Sequence, residues 1–574
     1  MNNATISGKI KEPQMEAEID VQIQSIDDIP LIIEISKQMK LAELVEKHFA
    51  THGNQEGLNN GQLLAGWLSF ILSQSNHCKN AVRSWSNKIP TVLGALLGNV
   101  IREVEFSDDR LANLLDKLSD DESWYRFEDD FSKHTIETYE LPVETIRCDG
   151  SAACGYHEVI ENGIMQYGRS KDHRPDLPQL KMMTATLDPG ILIGIDIDSG
   201  EKNDDSMYLP LIYRIRPMIN KKGTLFVGDC KMSSFGIRSD VQQNQDYYLT
   251  PLAMGTEKIR LYFQSLVEAI VNGNQEAELV YKENKDVSKL IVAGYEIERE
   301  ERCNEKQIKW TERIFVYRSF EFAKSEITLF EKKMKKMEME LLKLTPTPIK
   351  GSRQFYEESK LVEAINKIIN KYEMSKFIKV KYKTEPYNKK NRYVIHIEMN
   401  EAEVEEEKKR CGWKLMVTNA PKEKLSLSQA ILNYRQEWTL ERCFRILKTS
   451  HLGISPLYLR KQERLKGITR LLSIGIRLIT LLEYNISKNL KMAKETVKGL
   501  DVAHPNKTTS TPTAYSIFKK FCREKINLSQ VNIEEKNYWS LSKIDEDLIK
   551  VLNHLKIPIE LYKVEYYRSW HASN

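Results

Sequence analysis

Asp188-Pro189-Gly190 is the feature that most restricts what this chain can fold into. It separates two apolar runs, Lys181–Leu187 and Ile191–Ile197, and a Pro-Gly break between strand-forming segments signals a hairpin. Before it, Glu144–Cys148 alternates and ends at Asp149-Gly150. After it come a helix over Ser206–Met218, interrupted by Pro210, and a short buried strand at Thr224–Val227 that ends at Gly228-Asp229. Strand, hairpin, helix and strand in that order predict a mixed α/β sheet. Asp149 and Asp229 then fall at carboxyl ends of strands, where open α/β sheets bind their ligands.

A second stretch, Ser426–Ser450, reads as one helix of several turns with no Pro or Gly to interrupt it. Ser426 and Gln429 fit a capping box, in which hydroxyl and carboxamide each take an orphan amide. Leu440, Phe444 and Leu447 form an apolar stripe to bury. Tyr434, Glu441 and Lys448 recur every seven residues, about two turns, and line a different face. Glu437 and Arg445 flank Glu441 at one turn on either side. Two readings fit: a solvated face with ordinary ion pairs, or a carboxylate for a metal beside a phenol and an ammonium for phosphate.

With 574 residues the chain has room for several domains. Residues 1–24 read as a disordered lead-in and 25–137 as a helical domain, with helical spacing over Ile29–Phe49, Gly61–Ser75 and Asp108–Leu118. The strands above fill 138–253, closing with Tyr247–Leu252. Residues 254–410 read as an insertion, with strands at Leu279–Tyr281, Lys289–Tyr295, Arg313–Tyr317 and Tyr393–Met399 and a charged helix over Glu321–Leu344 that Thr345-Pro346-Thr347-Pro348 stops. The charge run Glu401–Arg410 reads as a solvated turn or edge. Residues 411–500 hold the Ser426 helix and a long basic helix pair over Leu457–Leu490, and 501–574 a polar linker and a small helical tail.

Net charge is only +4, but residues 441–500 carry thirteen Lys or Arg against four Asp or Glu, the footprint of a polyanion-binding face. Phosphate contacts are therefore expected along 457–498, largely independent of base sequence. The eight cysteines contain no Cys-x-x-Cys pair, which excludes the usual zinc ribbons and disulfide frameworks. No apolar run is long and uncharged enough to span a bilayer, and no signal peptide is evident, so a soluble cytoplasmic protein is expected.

Asp149, Asp229 and Glu441 are three carboxylates, two at strand ends and one on a helix. Hard oxygen ligands suit Mg²⁺ or Mn²⁺, and two such ions about 3.5–4 Å apart stabilise both the attacking and the leaving oxygen of an in-line phosphoryl displacement. With 81 acids in the chain, pattern alone does not single out this triple.

Two blocks do. YRQEWTLERCFRILK (Tyr434–Lys448) resembles the Tyr-Arg-Glu-Lys signature of bacterial insertion-sequence transposases of the DDE class, with Tyr434, Glu441 and Lys448 at the family spacing. YGRSKDHRPDLPQL (Tyr167–Leu180) is similar to the YGxSKDHRPDLxQ segment of one subgroup, which also carries a helical N-terminal domain. The resemblance spans most of residues 25–490. It implies a ribonuclease-H-like α/β fold with a mainly β insertion before the glutamate helix. It implies catalytic, metal-binding Asp149, Asp229 and Glu441, with Tyr434 and Lys448 on phosphate. It also implies cleavage at transposon ends to free a 3′-OH, its transfer into target DNA, a homodimer on double-stranded DNA, and a nucleoid-bound bacterial setting.

The signature's Arg is replaced by Glu437, and Asp-Arg-Gly after the second aspartate by Asp229-Cys230-Lys231. Either Arg435 or Arg445 substitutes, or the phosphate grip is weaker, or Glu437 adds a fourth acid. Similar enzymes often release the second strand through a hairpin, for which Trp413 is the candidate stacking platform. His173 and Arg174 either contact DNA or belong to a loop held by Asp172–Arg174 pairing. Asp204 and Asp205 read as helix caps. Reading of the terminal repeats falls by analogy to the N-terminal helices. A non-catalytic DNA-binding protein on the same fold and a metal nuclease without strand transfer are the alternatives.

Overall fold

A computed structural model of the chain describes residues 19–284, 287–349, 354–449, 452–454, 457, 459, 461–533 and 536–573. It divides into two compact units, residues 1–224 with 437–574 and residues 225–436.

The first unit begins with β1 (Ile19–Ser25), which corrects the reading of residues up to 24 as structureless; residues 1–18 lie outside the described residues. Its partner strand lies some 500 residues away, so no local signal could reveal it. Seven helices follow: α1 (Ile29–Gln38), α2 (Leu41–His48), α3 (Asn60–Gln74), α4 (Lys79–Ser86), α5 (Pro90–Leu97), α6 (Asp108–Leu118) and α7 (Asp121–Tyr139). The run over Ile29–Phe49 is two helices because Lys40 takes a left-handed conformation, φ 52°. Trp67, Phe106, Trp124, Phe127 and Phe131 are fully buried among them.

The predicted hairpin is present. β2 (Thr145–Cys154), β3 (Gln179–Leu187) and β4 (Ile191–Ser199) form an antiparallel meander. Asp188 accepts from Arg147 Nε at 2.8 Å and Gly190 turns at φ 100°. Then α8 (Asp205–Ile219) packs on β3 and β4 despite Pro210 and Pro217 inside it. An interior proline costs about 3 kcal/mol. Burial of Tyr208, Leu211, Ile212 and Ile215, at roughly 1.5–3 kcal/mol for each large apolar side chain, outweighs it.

The second unit opens with β5 (Leu225–Gly228), α9 (Phe235–Gln243) and β6 (Tyr247–Pro251), a parallel pair joined by a helical crossover. Then come α10 (Glu257–Val271), β7 (Glu278–Asn284), β8 (Val287–Cys303), β9 (Ile308–Ser319), α11 (Phe320–Leu342), α12 (Glu358–Tyr372), β10 (Ile378–Tyr387), β11 (Lys390–Met399), α13 (Glu401–Arg410), β12 (Trp413–Thr418) and α14 (Leu427–Tyr434). β12 joins β6 to β9, and β8 and β7 follow, all antiparallel. Apolar side chains of these strands and of α14 form one core. A second core fills the space between α11, α12 and the β10–β11 hairpin. The charge run at 401–410 is helical, not a turn. Acids stand in its first turn and Lys408, Lys409 and Arg410 in its last, matching the macrodipole, and Glu405–Lys408 and Glu406–Lys409 pair one turn apart.

Back in the first unit are α15 (Trp438–Lys448), α16 (Gln462–Ala493), α17 (Ala514–Glu524), β13 (Asn527–Ile533), β14 (Lys536–Leu541), α18 (Glu546–His554) and α19 (Val564–Ser573). The expected basic helix pair is a single helix of 32 residues, α16, buried around most of its middle. The tail is not all helix, since β13 pairs with both β14 and β1. An antiparallel meander, a helix and then a parallel pair is the element order of a ribonuclease-H-like mixed α/β protein, preceded by a helical region. No helix of the described residues is long and apolar enough to cross a membrane.

At the start of α1, Asp28 is fully buried and accepts from Ser73 Oγ at 2.7 Å. Burial pushes its carboxyl up to about 7 and that of Asp27 up to about 6. The folded protein thus keeps protons that the unfolded chain sheds near pH 4, so this contribution to stability is present at low pH and declines as pH rises from about 4 to about 7. Asp28→Asn removes the declining component. The difference in thermal midpoint between wild type and variant should therefore grow in the variant's favour from pH 5 to pH 8, and an unchanging difference would refute the assignment.

Candidate active site

The Ser426 stretch keeps its capping box, with Gln429 N–H donating to Ser426 Oγ at 3.2 Å and Ser426 N–H to Gln429 Oε1 at 2.9 Å. It is not one helix. A 3₁₀ turn at Arg435–Glu437 separates α14 from α15. None of those three residues is buried, and a helix without a packed face has little to hold it. Tyr434 therefore ends α14, while Glu441 and Lys448 share α15. Leu440 and Leu447 are buried as expected, Phe444 only half so, and Cys443 and Ile446 complete the packed side.

Within the first unit α15 packs on β2 and α16. Cys443 Sγ lies 3.3 Å from Gly190 O, and Arg442 pairs with Glu483 of α16. This seats α15 with Glu441 and Arg445 exposed and Lys448 half-buried, its Nζ 2.7 Å from Asp172 Oδ1. Asp149 stands in the middle of β2 rather than at its end, because β2 runs on to Cys154 opposite β3. Its Oδ1 accepts from Gly150 N–H at 2.7 Å, and its carbonyl accepts from Thr184 Oγ at 3.2 Å.

The Tyr167–Leu180 block supplies the neighbour that sequence reasoning missed. Lys171 Nζ lies 4.0 Å from Asp149 Oδ1, donates to Gly150 O at 2.6 Å and pairs with Asp204 Oδ2 at 3.1 Å. Lys181 holds the other Asp204 oxygen at 2.6 Å. Burial would raise the Asp204 carboxyl, but hydrogen bonds and charge from Lys181 and Lys171 hold it below the usual range. Asp204 thus occupies the N-cap position of α8 without capping an amide through its side chain. The block's length was the only sequence signal for Lys171. Arg174 pairs with Asp176, at 2.9 and 2.7 Å, not with Asp172; His173 beside it is exposed at φ 56°.

Asp229, Trp413, Tyr434 and Arg435 belong to the second unit. Asp229 directly follows β5, as expected, and its Oδ1 accepts from Lys231 N–H at 2.9 Å. Trp413 is half-buried on β12, its indole N–H donating to Lys409 O at 2.9 Å. Arg435 Nη2 donates to Ser319 Oγ at 3.3 Å.

Part of the basic excess around α16 faces carboxylates of the protein itself. Arg464 pairs with Asp116, Lys466 and Arg470 with Asp121, and Arg477 with Glu128. Those charges join α16 to the N-terminal helices, while Lys491, Lys494 and Lys498, at and beyond its C-terminal end, are exposed.

Among the described residues no three His, Cys, Asp or Glu side chains form a ready group for a metal. Magnesium seldom needs one, since it keeps several waters and takes one or two carboxylates with substrate phosphate. Asp149 offers one such half-buried oxygen donor, with the Lys171 ammonium 4.0 Å away as a competing cation.

The helix that carries the exposed Glu441 thus packs on the strand that carries Asp149. The sequence pattern of the transposase DDE domain matches residues 150–474, more than half of the chain, and the chain belongs to that family. It is a DDE transposase, an enzyme acting on DNA, and such enzymes use divalent metal ions. A second pattern, a domain of unknown function (DUF4277), matches residues 21–128. No curated protein matches. Among solved structures, a piggyBac transposase synaptic complex with hairpin DNA is similar at a TM-score of 0.36 and 6% identity, over 86% of this chain and 79% of that one, a likeness too slight to argue from.

Proposed function

We propose that this transposase cuts DNA at the ends of a bacterial insertion sequence and joins the freed 3′-OH to target DNA. The observation that carries the reading is Glu441, held exposed on a helix that packs against the strand of Asp149. Asp149, Asp229 and Glu441 are the assigned ligands for Mg²⁺ or Mn²⁺, two ions in all. When bound, such ions neutralise charge developing on the attacking and leaving oxygens. The chain's own groups bind and orient the DNA. Tyr434 and Lys448 grip phosphate, Arg435 or Arg445 serves where the signature's Arg is replaced by Glu437, and His173 and Arg174, exposed in the Tyr167–Leu180 block, contact DNA. Lys448 Nζ lies 2.7 Å from Asp172 Oδ1, and its grip on phosphate replaces that contact. Trp413 is retained as the base-stacking candidate, and the working form on DNA is a homodimer.

The test is a plasmid carrying the short inverted repeats that flank the gene, incubated with the protein and Mg²⁺. Expected products are an excised segment with 3′-OH ends and its joined form in target DNA. Cutting without joining would leave a metal nuclease, and no metal-dependent cutting would leave a DNA-binding protein; either overturns the proposal.

A further inference from the structure

β10 and β11 form a two-stranded antiparallel ribbon, paired from Ile378↔Met399 to Tyr387↔Lys390. Ten residues per strand at about 3.3 Å each make it roughly 33 Å long. Asn388 and Lys389 both have positive φ, 49° and 64°, so the tip is a tight two-residue turn whose twist suits the strands. Alternation divides the ribbon into two faces. Ile378, Val380, Tyr382, Ile395 and Ile397 pack on the core shared with α11 and α12. Lys379, Lys381 and Lys383 project from the opposite side and are exposed.

Residues 378–399 carry six Lys or Arg against two Glu. Lys381 pairs with Glu398 at 2.5 Å, whereas no carboxylate of the described residues lies within salt-bridge distance of Lys379 or Lys383. Lys389 at the tip is exposed as well. A row of lysines two residues apart repeats about every 6.6 Å, close to two phosphate steps of about 3.4 Å along the axis for one DNA strand. A two-stranded ribbon also fits the major groove, about 12 Å wide, with its basic face toward the backbone.

We propose that the exposed face of this ribbon is a docking surface for double-stranded DNA, with Lys379, Lys381, Lys383 and Lys389 on its phosphates. It rests on the reading of the chain as a transposase and adds to it a surface outside the residues assigned to catalysis. The bland competitor is that edge lysines simply keep a bare ribbon from pairing with other strands. The two differ in their salt dependence.

The experiment titrates the full-length protein, without metal, against a labelled duplex of mixed sequence at several salt concentrations. Every phosphate that a variant no longer neutralises lowers the slope of log affinity against log salt by about 0.9. The triple variant Lys379→Ala, Lys381→Ala, Lys383→Ala should lower that slope by about two to three and weaken binding about tenfold or more near 0.1 M salt. Replacing the same three by arginine should restore both. Unchanged slope and affinity in a variant whose thermal midpoint matches wild type would overturn the proposal, as would tighter binding to a single strand than to the duplex. Wild-type binding without metal is scored separately from cutting, so a failed ribbon and a failed transposase reading give different results.

Discussion

Glu441→Gln is expected to lower DNA cleavage about a thousandfold or more, a loss of roughly 4 kcal/mol in the barrier, while leaving the fold intact. The side chain is exposed and buries no partner, so the amide changes charge without changing packing. The neighbours that seat α15, Leu440, Cys443 and Leu447, are untouched. Loss of the carboxylate removes a hard anionic donor for the ions, which an amide oxygen replaces poorly. The measurement is cutting of inverted-repeat DNA in Mg²⁺, with thermal midpoint and metal-free DNA affinity as companions. Activity within threefold of wild type would remove Glu441 from the chemistry. Loss of activity together with loss of folding would contradict its exposed placement.

Glu128→Ala should destabilise the fold by about 3–5 kcal/mol. Glu128 is completely buried on α7 and receives Arg214 from α8, Arg477 from α16 and the amide of Ile195 on β4, the last at 3.2 Å. Arg214 also reaches Asp196 at 2.6 Å. Burial pushes the Arg477 guanidinium down, and Glu128 is the charge that opposes this. Without Glu128, Arg477 is left charged, wholly buried and unpaired, and Arg214 keeps only Asp196. Because four elements meet at this carboxylate, the loss should appear as a lower midpoint and as faster proteolysis of the whole first unit. A variant as stable as wild type would show that the buried charges relax to water.

How much of this was readable in the chain depends on the distance between partners. The Asp188-Pro189-Gly190 hairpin, the α6 boundaries and the Ser426 capping box all rest on neighbours within a few residues, and each is found where expected. The failures share the opposite property. β1 needs β13, the middle of α16 is buried by the N-terminal helices, and Lys171 meets Asp149 only because β2 and the following loop fold back. The charged run of α13 failed differently, since its charges are ordered along the helix axis, acids first and bases last, and composition alone does not see order. At the site, the family motif offers Asp149, Asp229 and Glu441 as candidates. The 3₁₀ break after Tyr434 and the mid-strand position of Asp149 were not legible, because both follow from packing.

The pairing of Ile19–Ser25 with Asn527–Ile533 sets a schedule for synthesis. A ribosome adding about 5–20 residues per second needs roughly 25–100 s to span that interval. Through that time the early strand waits with its edge bare. A truncated product that never receives its late partner offers an open template for aggregation, so incomplete translation should yield insoluble protein instead of a shortened competitor for DNA.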